Sequence, residues 1–312
     1  MTRRGLILFI ALGIAWGIPY LFIKIAVAEL SPEMIVLARS GLAAVLLLPL
    51  ALFRKQIIPV LKRWKPMLAY TVVEIIIPWY FLSSAELRLP SSTAGLLISA
   101  VPLAGVGIAF LLGRPERLAL LNWLGILIGM LGVAALVGLD VSGSDIGAVA
   151  EVGIVVIGYA LGPAILARWM PDLPGVGVVA VSLAGAALFY VPVVVLLGSW
   201  PTAMPSGNVI VAVVVLAVVC SALAFLLMVG LIGEIGPVKA TAITYVNPAV
   251  AIIAGVLVLG EQVTVWTIVG FVLVLAGSYL VTTRRREPVP APGPEAAAAV
   301  EETIDPGGAR GS

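Results

Sequence analysis

The sequence predicts an all-α integral membrane protein with ten transmembrane helices arranged as two inverted five-helix repeats. Three observations support this fold class: an apolar composition, ten apolar runs of helix length, and a repeated spacing of prolines, glutamates and glycines. Of the 312 residues, 62% are hydrophobic and 11% are charged, whereas soluble domains are about 45–50% apolar and about 25% charged. This composition excludes an ordinary soluble protein.

The charged and metal-binding residue types exclude several classes of function. The net charge is only +2 and the basic residues are scattered, so the chain carries no nucleic-acid footprint. With no histidine and one cysteine, the usual zinc and haem ligand sets and a Ser-His-Asp triad are absent. We therefore expect no cofactor, no metal, no nucleic-acid partner and no internal disulfide.

Each predicted span is an apolar run long enough to cross the hydrocarbon core, which takes about 20 helical residues. A β-barrel would instead show period-two alternation, whereas residues 209–219 are apolar on every side. The first run is too long for a secretory signal and no A-x-A cleavage pattern follows it, so we expect it to remain. The ten predicted spans are residues 6–28, 32–53, 66–86, 90–112, 118–139, 147–168, 174–199, 207–232, 237–259 and 263–282.

Arginine and lysine set the predicted orientation, because they accumulate in cytoplasmic loops. With the N-terminus inside, almost all basic loop residues fall on the cytoplasmic side, and Arg88 is the basic residue of the outer loops. The outer loops instead carry Glu29, Glu33, Asp140 and Asp145. We expect a protein of the cell (inner) membrane with both termini in the cytoplasm.

Two segments lie outside the predicted bundle. Residues 53–66 mix basic and apolar side chains, which suits either a short interfacial helix on the inner leaflet or a plain basic connector. Residues 284–312 are rich in proline, alanine, glycine and acidic residues. That composition cannot bury a core, so we expect a disordered cytoplasmic tail.

The chain repeats itself, with residues 1–142 forming one unit and residues 143–283 the other. Each unit holds five spans, an odd number, so the second enters the membrane inverted relative to the first. Inverted-topology repeats are typical of secondary transporters, in which they allow a central site to open to either side. The matched residues are Pro90, Pro102, Glu116, Gly125 and Gly132 in the first unit and Pro237, Pro248, Glu261, Gly270 and Gly277 in the second.

This pattern of a mid-span proline, a loop glutamate and two glycines seven residues apart resembles the EamA-type module of the drug/metabolite transporter superfamily. The likeness covers residues 5–283 and occurs twice; the inserted Gly113-Arg-Pro-Glu116 in the first unit departs from the pattern at one turn. The resemblance implies export or exchange of small metabolites, amino acids and drug-like compounds without ATP.

The leading functional hypothesis is a secondary transporter that works by alternating access, not an enzyme. No G-x-x-x-x-G-K-[ST] loop is present to drive an ATP-dependent pump. Two alternatives stay open. A channel would need charged rings or a carbonyl filter, and a membrane-embedded enzyme would need clustered acid and base groups. The expected partners are a small-molecule substrate and the lipid bilayer, and a homodimer is compatible with the sequence.

Ionisable residues within spans are costly and mark functional sites by default. Arg39 and Glu74 are predicted at depths that two long side chains can bridge. They form either a permanent buried ion pair or a site where Glu74 binds a substrate amine or a proton. Lys24, near the outer end of the first span, is better explained by a side chain that extends to the interface.

Prolines and aromatic residues complete the predicted site. Pro78, Pro102 and Pro248 are expected to kink their helices, because a proline leaves the carbonyl four residues earlier without its partner. The remaining candidates for substrate binding are polar or aromatic and lie at similar depth, whereas Trp79, Tyr80, Trp200 and Trp266 suit the interfacial belt. These candidates are Trp16, Tyr20, Ser99, Tyr159, Tyr245 and Asn247.

Overall fold

The computed structural model describes residues 2–111, 120–135, 145–236 and 240–282, and every regular element in these ranges is helical. Seven helical segments are long and apolar enough to cross a membrane, and three shorter apolar helices occupy the remaining predicted spans. The all-helical prediction is confirmed, and ten crossings stay a prediction. The predicted tail and the loop that holds Glu116 lie outside the described residues.

Several of the predicted spans are divided into shorter helical segments. The first half contains α1 (Arg3–Gly17), α2 (Pro19–Ala26), α3 (Pro32–Phe53), α4 (Ile57–Lys62), α5 (Trp64–Tyr70), a π-helical turn (Thr71–Ile76), α6 (Ile77–Glu86), α7 (Ser91–Ile98), α8 (Val101–Leu111) and α9 (Leu120–Ala135). The second half contains α10 (Ile146–Trp169), α11 (Gly175–Leu197), α12 (Gly207–Ala217), a second π-helical turn (Val218–Leu223), α13 (Ala224–Ile235), a 3-10 turn (Thr241–Tyr245), α14 (Asn247–Leu259) and α15 (Val265–Thr282).

Prolines lie where these segments begin. Pro19 is the first residue of α2, and Pro102 and Pro248 are the second residues of α8 and α14. A proline fits the first turn of a helix because its missing N–H would have no partner there. Pro102 and Pro248 therefore restart helices that are interrupted at mid-span. Pro78 is the second residue of α6, directly after the first π-helical turn.

The two π-helical turns occupy corresponding places in the third and eighth predicted spans. Each is six residues long, and they are 147 positions apart in the chain. In the first turn the N–H of Ile77 bonds to the carbonyl of Val72, five residues earlier. Such turns are rare and are frequently found at functional sites. Glu74 is the fourth residue of the first turn, and Ser221 is the fourth residue of the second.

Helix packing pairs the two halves. The segment α3 packs along α11, α7 along α14 and α9 along α15, so the second, fourth and fifth spans contact their counterparts. In addition, α1 packs on α13 and α6 on α10. These two pairs are equivalent, because each joins the first span of one half to the third span of the other. Small residues allow the closest approach: a Cβ at Gly277 would lie 2.6 Å from the carbonyl oxygen of Gly125.

Contacts between connecting segments define one end of the bundle, which we call the Glu261 end. There the Glu261 carboxylate accepts hydrogen bonds from the backbone N–H groups of Ser91 (2.7 Å) and Ser92 (2.9 Å). Glu29 accepts a hydrogen bond from the N–H of Ser206 (2.7 Å). These bonds link loops from both halves, so this end is closed by polar contacts.

The opposite end carries most of the basic residues. Arg4 pairs with Glu234 at 3.3 Å, and Arg63 pairs with Asp172 at 2.9 Å. The short helix α4 lies in this region and exposes Ile58 beside its basic neighbours. The structure therefore contains the helix that was one of the two interpretations of residues 53–66.

Candidate functional site

An internal cavity of about 480 Å³ lies between helices of both halves. Its walls include two of the three predicted kink prolines, Pro102 and Pro248, whereas Pro78 packs against Gly158 of α10. All eight residues predicted to bind substrate border this cavity: Trp16, Tyr20, Arg39, Glu74, Ser99, Tyr159, Tyr245 and Asn247. The structure thus brings the predicted residues together, and their role in binding stays a prediction.

Arg39, from α3, is held by the second half and by α6. Its Nε donates a hydrogen bond to Ser221 Oγ at 2.9 Å, and its guanidinium carbon lies 3.7 Å from the centre of the Trp79 ring, a cation–π arrangement. The Ser221 hydroxyl donates in turn to the carbonyl of Leu216 at 2.8 Å, which directs its lone pairs toward Arg39. Ser221 holds the place in the second π-helical turn that Glu74 holds in the first.

Glu74 has no such partner. Its Oε2 is buried and accepts no hydrogen bond within the described part of the chain. The ion pair with Arg39 that the sequence left open is not formed; the ion pairs among the described residues lie near the ends of the bundle. The reason is that Ser221 and Trp79 orient the guanidinium. A buried carboxylate without a partner is costly, so Glu74 suits a ligand that brings a positive charge or a proton.

Two glycines of α10 allow this helix to approach Glu74. A Cβ at Gly158 would lie 2.5 Å from the carbonyl oxygen of Val73, and a Cβ at Gly162 would lie 2.8 Å from the carboxyl carbon of Glu74. Gly162 therefore leaves the space that the Glu74 carboxylate occupies. The sequence analysis missed both residues, although their spacing of four in a span is a helix-packing signal.

Polar groups satisfy the backbone where the fourth span is interrupted. The hydroxyl of Ser99 donates to the carbonyl of Leu96 at 2.5 Å, and its own carbonyl accepts a hydrogen bond from Ser278 Oγ at 3.0 Å. The Tyr245 hydroxyl donates to the carbonyl of Ser278 at 3.2 Å. Ser99 and Tyr245 thus bond to backbone, whereas Asn247 Oδ1 is buried without a partner in the described ranges and remains available to a ligand.

Aromatic rings form the apolar part of the walls. Trp16 meets Phe225 edge-on, with ring centroids 5.8 Å apart. Tyr20 lies against α7 at Gly95, where a Cβ would be 3.2 Å from the Tyr20 ring. Tyr159 is contributed by α10. The cavity therefore combines one free carboxylate and one oriented guanidinium with aromatic surfaces.

The predicted interfacial position of Trp79 is wrong. Its side chain is only 5% exposed, and it borders the cavity beneath Arg39. The physical reason is helix periodicity: Trp79 shares a buried face with Ile75, Leu82 and Glu86, which follow each other at three- and four-residue intervals. The position of Trp79 along the span, on which the interfacial prediction rested, does not show which face of the helix the side chain occupies.

Glu261 acts at the start of a helix, the first helix of the fourth span rather than the helix that follows it in the chain. Its carboxylate accepts hydrogen bonds from two N–H groups in the first turn of α7, where the helix dipole favours negative charge. Burial raises the pKa of Glu261, and the hydrogen bonds from Ser92 and Ser91 outweigh that effect, so its pKa lies below the ordinary value.

Lys24 extends toward the Glu261 end and bonds to backbone carbonyls there; that its side chain reaches the interface stays a prediction. Its ammonium donates to the carbonyls of Glu86 (2.6 Å) and Leu89 (2.9 Å), at and just beyond the end of α6, where carbonyls have no partner within the helix. Lys24 thus caps the C-terminus of α6 and does not border the cavity.

The sequence of this chain is similar to those of known membrane transporters. Residues 3–138 and 151–283 each match the model of the EamA-like transporter family. The uncharacterized inner membrane transporter YedA of Escherichia coli (strain K12) is 32% identical over 298 residues, which cover 90% of this chain and 93% of YedA. The uncharacterized transporter YvbV of Bacillus subtilis (strain 168) is 24% identical over 292 residues, covering 91% and 93% of the two chains.

A solved crystal structure has a similar fold. It is 19% identical in sequence, superposes with a TM-score of 0.65, and covers 90% of this chain and 97% of its own. At this identity the similarity concerns the fold alone.

Proposed function

This chain belongs to the EamA-like transporter family, and from that premise we propose that it is a secondary transporter that exports or exchanges small metabolites such as amino acids or drug-like amines. The observation that carries the proposal is the pair of ionisable side chains, Glu74 and Arg39, that face one cavity without pairing with each other. At about 480 Å³, the cavity falls in the usual range for small-ligand sites, about 300–1,000 Å³.

The charges of the cavity match those of a zwitterion. Glu74 offers an unpartnered carboxylate to a substrate amine, a charge-assisted contact. Only the Nε of Arg39 donates to a described residue, so its two terminal nitrogens are free to bind a substrate carboxylate. Trp16 and Tyr20 offer aromatic surface to the rest of the molecule. A drug-like amine would use Glu74 and the aromatic walls alone.

Alternating access between two inverted halves is the proposed mechanism, driven by gradients of solutes or protons. Three observations support it: the family model matches the chain twice, the two π-helical turns occupy corresponding places, and helices pack on their counterparts. Cavity walls that come from both halves suit a rocking motion of one half against the other.

Purified protein in proteoliposomes is expected to take up labelled substrate in a saturable way, and faster when the vesicles contain the unlabelled compound. The probes are a panel of radiolabelled amino acids and aromatic monoamines, first narrowed by testing which toxic analogues the overexpressed protein makes cells resist. Acceleration by internal substrate requires a site that alternates between sides. Flux that does not saturate and ignores internal substrate would identify a channel instead.

Both termini are proposed to be cytoplasmic, with the Glu261 end outside. In a background in which Cys220, the single cysteine, is replaced by alanine, a membrane-impermeant maleimide should label Gln262→Cys in intact cells. The same reagent should label Arg114→Cys only after the membrane is permeabilised. The opposite pattern would overturn the proposed orientation, and labelling of both positions from the same side would overturn the inverted arrangement of the halves.

A further inference from the structure

A second carboxyl group is buried without a partner, outside the lining of the substrate cavity. Glu86 is the last residue of α6, and its side chain is 0% exposed. Both of its carboxyl oxygens lack a hydrogen-bond partner in the described ranges. An ionised carboxylate in such a place is far more costly than the neutral acid.

The nearest cation does not neutralise Glu86. The ammonium of Lys24 donates to the backbone carbonyls of Glu86 and Leu89, and no ion pair joins it to the Glu86 side chain. On the same loop, Arg88 pairs with Glu151 at 2.5 Å and with Asp145 at 3.8 Å. The basic groups at this end are therefore committed to other acceptors.

Charged groups of three neighbouring elements act on Glu86, and two of the three favour its ionised form. Lys24 of α2 and Arg39 of α3 favour the anion, whereas Glu261, in the connection after α14, opposes it. Tyr20 and Tyr159 are close enough to interact electrostatically with Glu86, and as neutral groups they add no charge. Against the two cations stands burial: the side chain is 0% exposed, and an ionised carboxylate out of contact with water is costly.

The Glu261 end is closed around this side chain. Ala26, Leu30 and Leu89 are buried there, and the Glu261 carboxylate joins the second half to the start of α7. The cavity lining extends the other way, toward Gly105 and Met228. Opening the Glu261 end would bring Glu86 into water.

We propose that Glu86 is a proton-binding site, occupied while the Glu261 end is closed and released to water when that end opens. The ligand is a proton, and the site is distinct from the cavity that holds Glu74. A glutamate in water loses its proton above about pH 4, so each opening above that pH releases one proton. The inference deepens the proposed transport function, on which it rests for the need to open this end.

The sign of the pH dependence distinguishes Glu86 from Glu261. Release of one proton on opening makes the open form more populated as pH rises, by up to about tenfold per pH unit. Glu261 works in the opposite direction: its hydrogen bonds to α7 need the carboxylate, so protonation at low pH would weaken the closed end. The direction of the effect therefore identifies the group.

The test measures how often the Glu261 end opens, with Leu89→Cys as the reporter in the Cys220→Ala background. Leu89 is 1% exposed in the closed end, so a maleimide can react only after opening. The full-length protein in detergent micelles, with both ends accessible, is labelled between about pH 6 and 8. Thr202→Cys, at an exposed position, corrects for the pH dependence of the thiol reaction.

After this correction, labelling of Leu89→Cys should rise with pH, by up to about tenfold per pH unit. Adding Glu86→Gln, which mimics the neutral acid, should abolish the slope and leave labelling slow, whereas Glu86→Asp should retain it. A corrected slope of zero, a fall with rising pH, or an equal slope with Glu86→Gln would each overturn the proposal. The first two results need no glutamine variant, and none depends on transport activity, so failure here is distinct from failure of the proposed function.

Discussion

Glu74→Gln is expected to slow transport by roughly 10- to 100-fold, equivalent to the loss of about 1.5–3 kcal/mol for a hydrogen bond to a charged group. The protein should remain folded in the membrane, because Glu74 Oε2 accepts no hydrogen bond from a described residue and Glu74 is in none of the ion pairs among those residues. Glutamine preserves the size of the side chain and removes the charge that an amine or a proton needs. Initial uptake rates in proteoliposomes, measured beside the thermal midpoint in detergent, separate the two effects.

The matched control is Glu234→Gln, the same chemical change outside the cavity. Glu234 pairs with Arg4 at the end of the bundle opposite the Glu261 end. A partly exposed ion pair contributes little to the free energy of unfolding, so transport should stay close to normal. Normal uptake by Glu74→Gln at every pH would refute the functional role. A large loss of thermal stability that Arg39→Gln restores in the double variant would instead show that the two charges depend on each other.

Gly162→Ala is expected to reduce transport by at least about tenfold, about 1.4 kcal/mol, and to destabilise the protein by about 1–3 kcal/mol. The added Cβ would overlap Glu74 Oε2 and lie 3.1 Å from the Glu74 Cβ. Either the carboxylate leaves its place or α10 moves away from the first π-helical turn, and both changes disturb the cavity. The thermal midpoint and the uptake rate should fall together.

Gly153→Ala on the same helix is the control, because a Cβ there would meet nothing within 4 Å. It should leave transport unchanged and raise stability slightly, by up to about 1 kcal/mol, since alanine favours helix. Combining Gly162→Ala with Glu74→Ala removes the overlapping carboxylate. The double variant should recover stability without recovering transport. If Gly162→Ala alone behaves like Gly153→Ala, the close approach of α10 has no functional importance.

Much of the fold follows from sequence because lipid imposes local rules. A span must satisfy its backbone hydrogen bonds within itself and present apolar side chains, so composition and run length locate the helices without knowledge of their neighbours. The same rules make an ionisable residue within a span conspicuous. Arg39 and Glu74 could therefore be predicted as site residues, and both border the cavity.

Local rules do not determine which side chains meet. The sequence allowed Arg39 to pair with Glu74, yet its partner is Ser221, because the helices bring the second π-helical turn to α3. Those turns carry no sequence signature that we recognised, since a register shift of one residue depends on packing as well as on local preference.

The sequence by itself determined a membrane protein of apolar helices, its likeness to EamA-type transporters and the presence of charges within its spans. Only the tertiary structure decided that Trp79 faces inward, that Gly162 makes room for Glu74, and that Glu86 is buried although it ends a helix. The physical reason is that a span enters lipid because its own residues are apolar, whatever its neighbours are. The rotation of a helix and the identity of its neighbours depend on residues far away in the chain, and these decide whether a group meets a partner, a cavity or neither.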